Sequence, residues 1–217
     1  MSKPTTSQRP VIVSIDGAIA VGKSTLCDAL SAAGYFVFRE GADDPERWGK
    51  SLERFYDNPK QNAFSLQIAI LCDMQLMYKV FEYLNVDVVF VERSPLSARD
   101  IFLENSCRMG YINPVDKETY HLLHAHMGWE PDHIISLETI PEVAYERMCA
   151  RGRTAENDVD IDYIRAIDAQ YQHAVHKWRK DIEQDLLQVR TVYSIDATRD
   201  PSDIANMVLD WVQHITA

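Results

Sequence analysis

The sequence has few features of a secreted, membrane-bound or nucleic-acid-binding protein. It contains only four cysteines, and none forms a Cys-x-x-Cys pair, which argues against a zinc site or a disulfide framework. Acidic residues outnumber basic ones by 33 to 22, whereas a general nucleic-acid binder needs the opposite balance. No apolar run reaches transmembrane length. The sequence shows no repeat and no low-complexity tract, and its 217 residues suit a single domain. The four cysteines are Cys27, Cys72, Cys107 and Cys149.

The amino-terminal segment also lacks the features of a targeting sequence. Its first ten residues, MSKPTTSQRP, contain no apolar signal core and are short for a transit peptide. We therefore expect residues 1–10 to be a flexible tail, residues 11–217 to form a single domain, and the protein to be cytoplasmic. Hydrophobic residues make up 46% of the chain, which is enough for a large core.

Short apolar segments rich in β-branched and aromatic residues alternate with longer segments of helical pattern. The predicted strands are Val11–Ile15, Tyr35–Arg39, Asp87–Val91, His133–Leu137 and Thr191–Ile195. The predicted helices lie around residues 23–33, 60–84, 95–109, 115–127, 141–150, 160–185 and 202–215. This alternation predicts an α/β fold with a parallel sheet between helices. Ligands of such sheets bind beyond the carboxyl ends of the strands.

The segment after the first predicted strand carries the strongest motif in the sequence. Residues 17–24 read GAIAVGKS and match the phosphate-binding pattern G-x-x-x-x-G-K-[ST]. Glycines let the backbone approach phosphates closely, and the following helix presents its N-terminus to the anion. The motif predicts that Lys23 binds the outer phosphates and that Ser24 offers a hydroxyl to Mg²⁺.

Polar residues at three further positions could contact a ligand. Glu40 ends the second predicted strand, where its carboxylate could act as a general base, although a solvated glutamate also explains it. Glu92 and Arg93 end the third strand and could bind Mg²⁺ and phosphate, or form a structural ion pair. Gln67 lies on an apolar helix face, where its amide could pair with a nucleobase or lie at the core rim.

Three arginines, Arg147, Arg151 and Arg153, follow the helix that begins at Pro141. Cations placed there would stabilise a transferring phosphoryl group, and the polar residues that follow suggest a mobile lid. A basic helix end that answers the helix dipole is the simpler alternative. Arg151 and Arg153 exceed what that alternative requires.

Taken in order, these segments resemble the deoxynucleoside kinase family, which includes insect deoxyribonucleoside kinase, mitochondrial thymidine kinase and deoxycytidine kinase. The resemblance covers about residues 10–200 and rests on the phosphate loop, WGKSLERFYDNPKQNAFSLQ, ERSPLSARDIF and ERMCARGRTAE. It implies a P-loop kinase domain with a five-stranded parallel sheet flanked by helices and an arginine-rich lid. It also implies ATP-dependent, Mg²⁺-dependent 5′-phosphorylation of a deoxynucleoside by a homodimer joined through long helices, including 60–84.

The resemblance assigns roles to matching residues. Those that would hold the donor nucleotide are Gly17, Ala18, Ile19, Ala20, Val21, Gly22, Lys23, Ser24, Thr25, Arg147, Arg151, Arg153 and Asp196. Asp196 begins the segment 196–200, which would border the adenine of the donor. Those that would bind the deoxynucleoside are Glu40, Trp48, Tyr56, Gln67, Ile70, Met74, Arg93, Ala98, Phe102 and Glu156. The metal would lie near Ser24 and Glu92. The catalytic set would be Glu40, Arg93, Lys23, Arg151 and Arg153.

Within the implied nucleoside site, each contact has a chemical purpose. Tyr56 and Glu156 would bind the sugar 3′-hydroxyl, Gln67 would pair with the base, and Phe102 would stack on it. Glu40 would accept the proton of the 5′-hydroxyl as the general base.

The chain departs from the family pattern at two points. Glu40 precedes Trp48 by eight residues, whereas the family usually has its base five residues before the tryptophan. Either three residues are inserted, or Asp43 or Asp44 takes the place of the base; we favour Glu40 because it ends the strand directly. The lid reads Thr-Ala-Glu where Asn-Glu-Glu or Ser-Glu-Glu is common, so one acid is missing.

Three positions of the resemblance bear on the choice of acceptor. Ile70, Met74 and Ala98 match apolar residues of thymidine-accepting members, whereas deoxycytidine kinase has Arg and Asp at the positions of Met74 and Ala98. We therefore expect thymidine to be preferred, deoxycytidine to be possible, and Ile70 to disfavour purines. Two alternatives remain open: a thymidylate kinase, which would need more cations around its acceptor, and a non-catalytic nucleotide-binding subunit of the same fold.

Overall fold

The five predicted strands form one parallel sheet. The computed structural model describes residues 9–44, 46–153, 156 and 159–216. Its strands are β1 (Val11–Gly17), β2 (Phe36–Phe38), β3 (Val88–Glu92), β4 (His133–Glu138) and β5 (Thr191–Asp196). Their order across the sheet is β2-β3-β1-β4-β5, and every neighbouring pair is parallel. The predicted α/β class is confirmed.

Helices connect the strands and cover the sheet. Among the described residues they are α1 (Lys23–Ala32), α2 (Gly49–Asp57), α3 (Pro59–Phe81), α4 (Pro95–Ser97), α5 (Glu104–Arg108), α6 (Pro114–Met127), α7 (Pro141–Arg151), α8 (Ile161–Glu183) and α9 (Pro201–Thr216). A π-helical segment, Ala98–Leu103, joins α4 to α5. Six of the seven predicted helices are present as single helices, whereas the one predicted for residues 95–109 is divided into α4, the π-helical segment and α5. The prediction missed α2.

Local sequence signals fix where several helices begin. The side chains of Asn58, Asn113 and Asp160 accept hydrogen bonds from backbone amides in the first turns of α3, α6 and α8. In α3 and α6 a proline follows the cap at once, where its missing N–H is not needed.

The sheet separates two apolar cores, and β3 shows how. All five of its residues are buried. Phe90 packs into one core with Trp178 of α8, whereas Val89 packs into the other with Leu71 of α3 and Tyr120 of α6. Alternate side chains of a strand point to opposite faces, so a strand in the middle of a covered sheet is apolar throughout.

Among the described residues, one helix is long and apolar enough to cross a membrane by length and composition alone. This helix is α3, so the sequence-based statement that no segment reaches that length is corrected here. Its hydropathy has another source, because Leu66, Leu71 and Phe81 pack into the second core. The core helix of a soluble protein passes the same test.

The end of the predicted tail contacts the domain. The guanidinium of Arg9 donates to both carboxylate oxygens of Asp132, at 2.6 and 3.1 Å, and Pro10 is buried. Asp132 also accepts the backbone amide of Ile12 at 2.8 Å. These contacts lie at the amino ends of β1 and β4. Residues 1–8 lie outside the described part of the chain.

Candidate active site

A cavity of about 710 Å³ opens beyond the carboxyl ends of the strands, as expected for a parallel sheet. This volume is in the range of small-molecule sites. Most of the residues predicted for the site line it. They are Ile19, Ala20, Val21, Gly22, Lys23, Ser24, Thr25, Glu40, Trp48, Tyr56, Gln67, Ile70, Met74, Glu92, Arg93, Ala98, Phe102, Arg147, Arg151, Arg153 and Glu156.

The phosphate loop begins at Gly17, where β1 ends. Gly17 has a φ of +141°, and a Cβ there would lie 2.5 Å from the carbonyl oxygen of Leu137, so only glycine fits. Lys23 opens α1, and its Nζ donates to the carbonyl oxygens of Gly17 at 3.1 Å and Ala18 at 2.7 Å. Burial, together with the charge of Arg93, lowers the pKa of Lys23 to about 8. A buried cation is therefore held at the N-terminus of a helix, where phosphate would bind.

Ser24 and Glu92 place two oxygen ligands beside the loop. The Ser24 hydroxyl donates to Oε1 of Glu92 at 3.1 Å, and Oε2 of Glu92 accepts the backbone amide of Glu40 at 3.4 Å. No group of three or more His, Cys, Asp and Glu side chains in the described residues could hold a metal by itself. Mg²⁺ commonly takes one or two protein ligands plus phosphate oxygens and water. Ser24 and Glu92 fit an ion of that kind.

Glu40 and Arg93 form an ion pair between the ends of β2 and β3. Arg93 is 6% exposed and has a φ of +67°, a conformation that non-glycine residues rarely adopt. Its Nε donates to the Tyr171 hydroxyl at 3.2 Å, and its guanidinium lies 4.6 Å from the ring centre of Phe102. Burial opposes its charge, but Glu40 and Tyr171 outweigh burial and keep the pKa of Arg93 above its ordinary value. Arg93 is therefore a fixed cation.

The cavity ends in an apolar chamber that contains one amide. Gln67 on α3 is 3% exposed, and its Oε1 has no hydrogen-bond partner among the described residues. A buried oxygen without a partner costs free energy, so it favours a ligand with a polar edge. The chamber walls are Trp48, Ile70, Met74, Ala98 and Phe102. The last two belong to the π-helical segment, a type of distortion that is frequent at functional sites.

The arginines at the other end of the cavity have different partners. Arg147 on α7 donates to the carbonyl oxygen of Val21 at 3.2 Å and to that of Ala197 at 3.0 Å, so it joins the phosphate loop to the end of β5. Arg151 lies at the carboxyl end of α7, and its Nη2 is 2.7 and 2.6 Å from the two carboxylate oxygens of Glu156.

Glu156 forms ion pairs with two arginines of the predicted lid, Arg151 and Arg153. It is 8% exposed, and Nη1 of Arg153 lies 3.5 Å from its Oε1, in addition to the contact with Arg151. Tyr56 lines the same cavity as Glu156, and burial, Tyr163 and Glu156 together raise the pKa of its hydroxyl. Both predicted ligands of a sugar hydroxyl therefore lie in one region. Four lid residues lie outside the described part of the chain: Thr154, Ala155, Asn157 and Asp158.

Three residues predicted for the donor site do not line the cavity: Gly17, Ala18 and Asp196. The first two begin the loop, and their carbonyl oxygens accept hydrogen bonds from Nζ of Lys23. The Asp196 carboxylate accepts from the backbone amide of Thr198 at 2.9 Å and from its hydroxyl at 2.7 Å, so it closes the turn after β5. The residues that line this end instead are Ala197, Arg199, Pro201 and Ile204.

The alternative bases occupy different surroundings. Asp44 lines the cavity, but its Oδ1 accepts the backbone amide of Glu46 at 2.9 Å. The side chain of Asp43 lies outside the described part of the structure. Among the described carboxylates of residues 40–44, Glu40 is therefore the one that contacts a buried arginine.

The sequence analysis missed several residues that line the cavity. They include Arg39, Ala42, Arg47, Leu52, Phe55, Leu66, Ser106 and Tyr163. Arg47 and its neighbours lie in the segment between β2 and α2, which has no helical or strand periodicity. The sequence feature that could have identified Arg47 is its place directly before Trp48, which was predicted to line the base pocket.

Comparison with known proteins finds relatives of this chain among kinases. The family model described as "Deoxynucleoside kinase" matches residues 13–216. A putative kinase, protein 029R of Invertebrate iridescent virus 3, is 30% identical over 91% of this chain and 94% of its own length. Deoxycytidine kinase of Mus musculus is 25% identical over 88% of this chain and 85% of its own.

Solved structures show the same fold. The chain superposes with a TM-score of 0.78 on deoxyadenosine kinase from M. mycoides, described as having the product dCMP and a flexible dCDP bound. The two share 21% identity, over 94% of this chain and 99% of that one. Since the family model spans nearly the whole chain, the protein belongs to the deoxynucleoside kinase family and is a phosphotransferase.

Proposed function

We propose that this deoxynucleoside kinase transfers the γ-phosphate of ATP to the 5′-hydroxyl of a pyrimidine deoxynucleoside, with thymidine preferred and deoxycytidine accepted. One observation carries the proposal: the Glu40–Arg93 pair lies in the same cavity as the phosphate loop and the chamber that contains Gln67. A nucleoside with its base in the chamber would present its 5′-hydroxyl toward this pair.

The chemistry assigned to each residue follows from its charge and position. Glu40 would accept the proton of the 5′-hydroxyl, and its ion pair with Arg93 holds the carboxylate in place. Lys23 and the lid arginines would neutralise the charge that spreads over the transferring phosphoryl group. Ser24 and Glu92 would hold Mg²⁺, which when bound supplies further positive charge beside the phosphates.

The chamber supports a preference for pyrimidines. Ile70, Met74 and Ala98 are all buried and apolar, so the chamber lacks a charged pair at these positions that could select cytosine. The unpartnered Oε1 of Gln67 belongs to an amide, which can both donate to and accept from one edge of a base. The bulk of Ile70 leaves less room for a purine. Some relatives are named as deoxycytidine and deoxyadenosine kinases, so the preferred deoxynucleoside has to be measured.

The test is a coupled assay of ADP formation with Mg-ATP and five acceptors: thymidine, deoxycytidine, deoxyadenosine, deoxyguanosine and dTMP. We expect the highest kcat/KM with thymidine. A clear preference for deoxyguanosine would overturn the acceptor proposal. Turnover of dTMP alone would instead favour the thymidylate kinase alternative, and ATP binding without turnover of any acceptor would favour a non-catalytic subunit.

We also propose a homodimer in which α3 contributes to the interface. Large apolar side chains on and just after this helix are exposed, with Leu76 at 64%, Val80 at 44% and Tyr83 at 84%. Such a patch favours burial against a partner. Light scattering after size exclusion should give twice the chain mass, and Leu76→Asp should lower it toward the monomer. Leu186→Asp, at a site with similar exposure elsewhere, is the matched control.

A further inference from the structure

The side chain of Arg47 connects two elements that border the nucleoside end of the cavity. Its Nη1 donates to the backbone carbonyl oxygen of Arg39 at 2.8 Å, directly before Glu40. Its Nε donates to Oδ1 of Asp73 on α3 at 2.9 Å, and its Nη2 donates to the other oxygen of that carboxylate. The end of β2 and the middle of α3 are therefore held together by one guanidinium.

Tight packing fixes this guanidinium against the backbone. A Cβ at Gly41 would lie 2.9 Å from both Cζ and Nε of Arg47 and 2.7 Å from Nε1 of Trp48. The backbone amide of Arg47 donates to the carbonyl oxygen of Asp44 at 3.1 Å. Arginine and tryptophan thus pack side by side on the glycine that follows Glu40.

We propose that Arg47, paired with Asp73, is a positioning residue that sets the places of Glu40 and Trp48 in the nucleoside site. The inference rests on the proposed function, because it takes Glu40 as the base. Glu40 is held from two sides, since its own amide donates to Glu92 at 3.4 Å while Arg47 binds the carbonyl that precedes it.

The geometry favours positioning over a purely stabilising role. The pair is partly exposed, with side chains 29% and 19% accessible, and contact with solvent weakens the contribution of such an ion pair to stability. The planar fork of arginine can bind a carboxylate with two nitrogens and a carbonyl with the third. Lysine presents a single nitrogen and cannot span both partners in the same way.

The experiment compares Arg47→Ala and Arg47→Lys with the unmodified protein. We expect kcat/KM for the best deoxynucleoside to fall about 10- to 100-fold in both, as a small misplacement of a catalytic group does. The KM for ATP should stay unchanged, because the phosphate loop keeps its own contacts. Asp73→Ala should have a similar effect, and the double variant should be no worse than Arg47→Ala.

Arg9→Ala is the matched control, because Arg9 forms the same two-nitrogen contact with Asp132 at the opposite edge of the sheet. It should lower the melting temperature, because the contact with Asp132 is lost, and should leave both KM values and kcat unchanged. Arg47→Lys keeps the charge and most of the volume, so it remains informative if Arg47→Ala does not fold.

Two results would overturn the inference: nucleoside kinetics of Arg47→Lys equal to those of the unmodified protein, or an equal rise in the KM for ATP. If the unmodified protein phosphorylates no deoxynucleoside, the proposed function fails instead, and Trp48 and Glu40 lose their assigned roles first.

Discussion

Lys23 carries a charge that depends on what the phosphate loop holds. The pKa of about 8 applies to the protein without a nucleotide, where burial and Arg93 disfavour the ammonium. Phosphate bound beside it would favour the ammonium again. Binding of ATP is therefore linked to uptake of a proton by Lys23 whenever the pH exceeds this value.

The first prediction follows from this linkage. The affinity for ATP should be level below about pH 8 and should fall by about tenfold per pH unit above it. Calorimetric titration in several buffers measures both the affinity and the proton uptake. Lys23→Arg, which stays charged throughout, should lose this dependence, and an unmodified protein with level affinity up to pH 10 would contradict the linkage.

The second prediction concerns the base. Glu40→Gln should lower kcat at least about 10²-fold, because the amide cannot accept the proton of the 5′-hydroxyl. Steady-state kinetics measure the loss. Asp43→Asn and Asp44→Asn are the controls, because these two aspartates are the alternative candidates for the base. If Glu40→Gln kept a near-normal kcat and one of the aspartate variants lost activity, that aspartate would be the general base instead.

Residue positions were predictable where a strand end fixes them. Lys23, Glu40 and Arg93 follow β1, β2 and β3, and parallel strands bring these ends to one edge of the sheet. Arg47 and Asp196 show the limit of that reasoning. Whether a residue in a turn faces a cavity depends on local hydrogen bonds, such as the one that Thr198 donates to Asp196, which no periodicity reveals.

At the scale of elements, apolar runs located all five strands. The central strands β1, β3 and β4 read as continuous apolar segments because both of their faces are buried, whereas the edge strands β2 and β5 are largely part-exposed and were located by their β-branched and aromatic residues. Two details were not accessible. In the helix α2, Leu52, Phe55 and Tyr56 have helical spacing, but its nine residues are fewer than the window over which such spacing identifies a helix. The segment 95–109, predicted as one helix, contains the π-helical turn that carries Ala98 and Phe102, and a widened turn leaves no mark in residue spacing.

The junction between β1 and the phosphate loop gives the third prediction. Gly17→Ala should destabilise the protein more than Gly34→Ala, since both residues have positive φ but only Gly17 faces a backbone oxygen at 2.5 Å. At Gly34 a Cβ would meet nothing within 4 Å, so the cost is conformational, about 1–2 kcal/mol. Urea unfolding compares the two free energies, and equal losses would show that the loop shifts away from β4 at little cost.

At the scale of the whole molecule, the cooperative unfolding equilibrium should respond to acid through a buried histidine. His133 on β4 is 4% exposed, its two ring nitrogens have no hydrogen-bond partner among the described residues, and its ring meets the edge of Trp211. Burial lowers the pKa of His133 below its ordinary value. The imidazole is therefore neutral in the core at neutral pH.

The fourth prediction is a loss of stability as pH falls below about 6.5, the ordinary pKa of histidine. Below that pH the unfolded chain binds a proton that the folded protein resists, so the free energy of unfolding decreases until the folded pKa is reached. Thermal unfolding between pH 7.5 and 5 measures it. His133→Leu should show a shallower decline, whereas His214→Gln, at an exposed position, should keep the original slope.

The central place of β1 has a consequence for the order of events during synthesis. β1 pairs with β3 and with β4, so its second partner begins at His133, more than a hundred residues later. The carbonyl oxygen that confines Gly17 belongs to Leu137. On the ribosome, a nascent chain that ends before β4 contains the residues of the phosphate loop but lacks the strand that confines Gly17. Contacts between residues so far apart in sequence also slow folding. During refolding, we expect ATP to bind only after β4 has paired with β1.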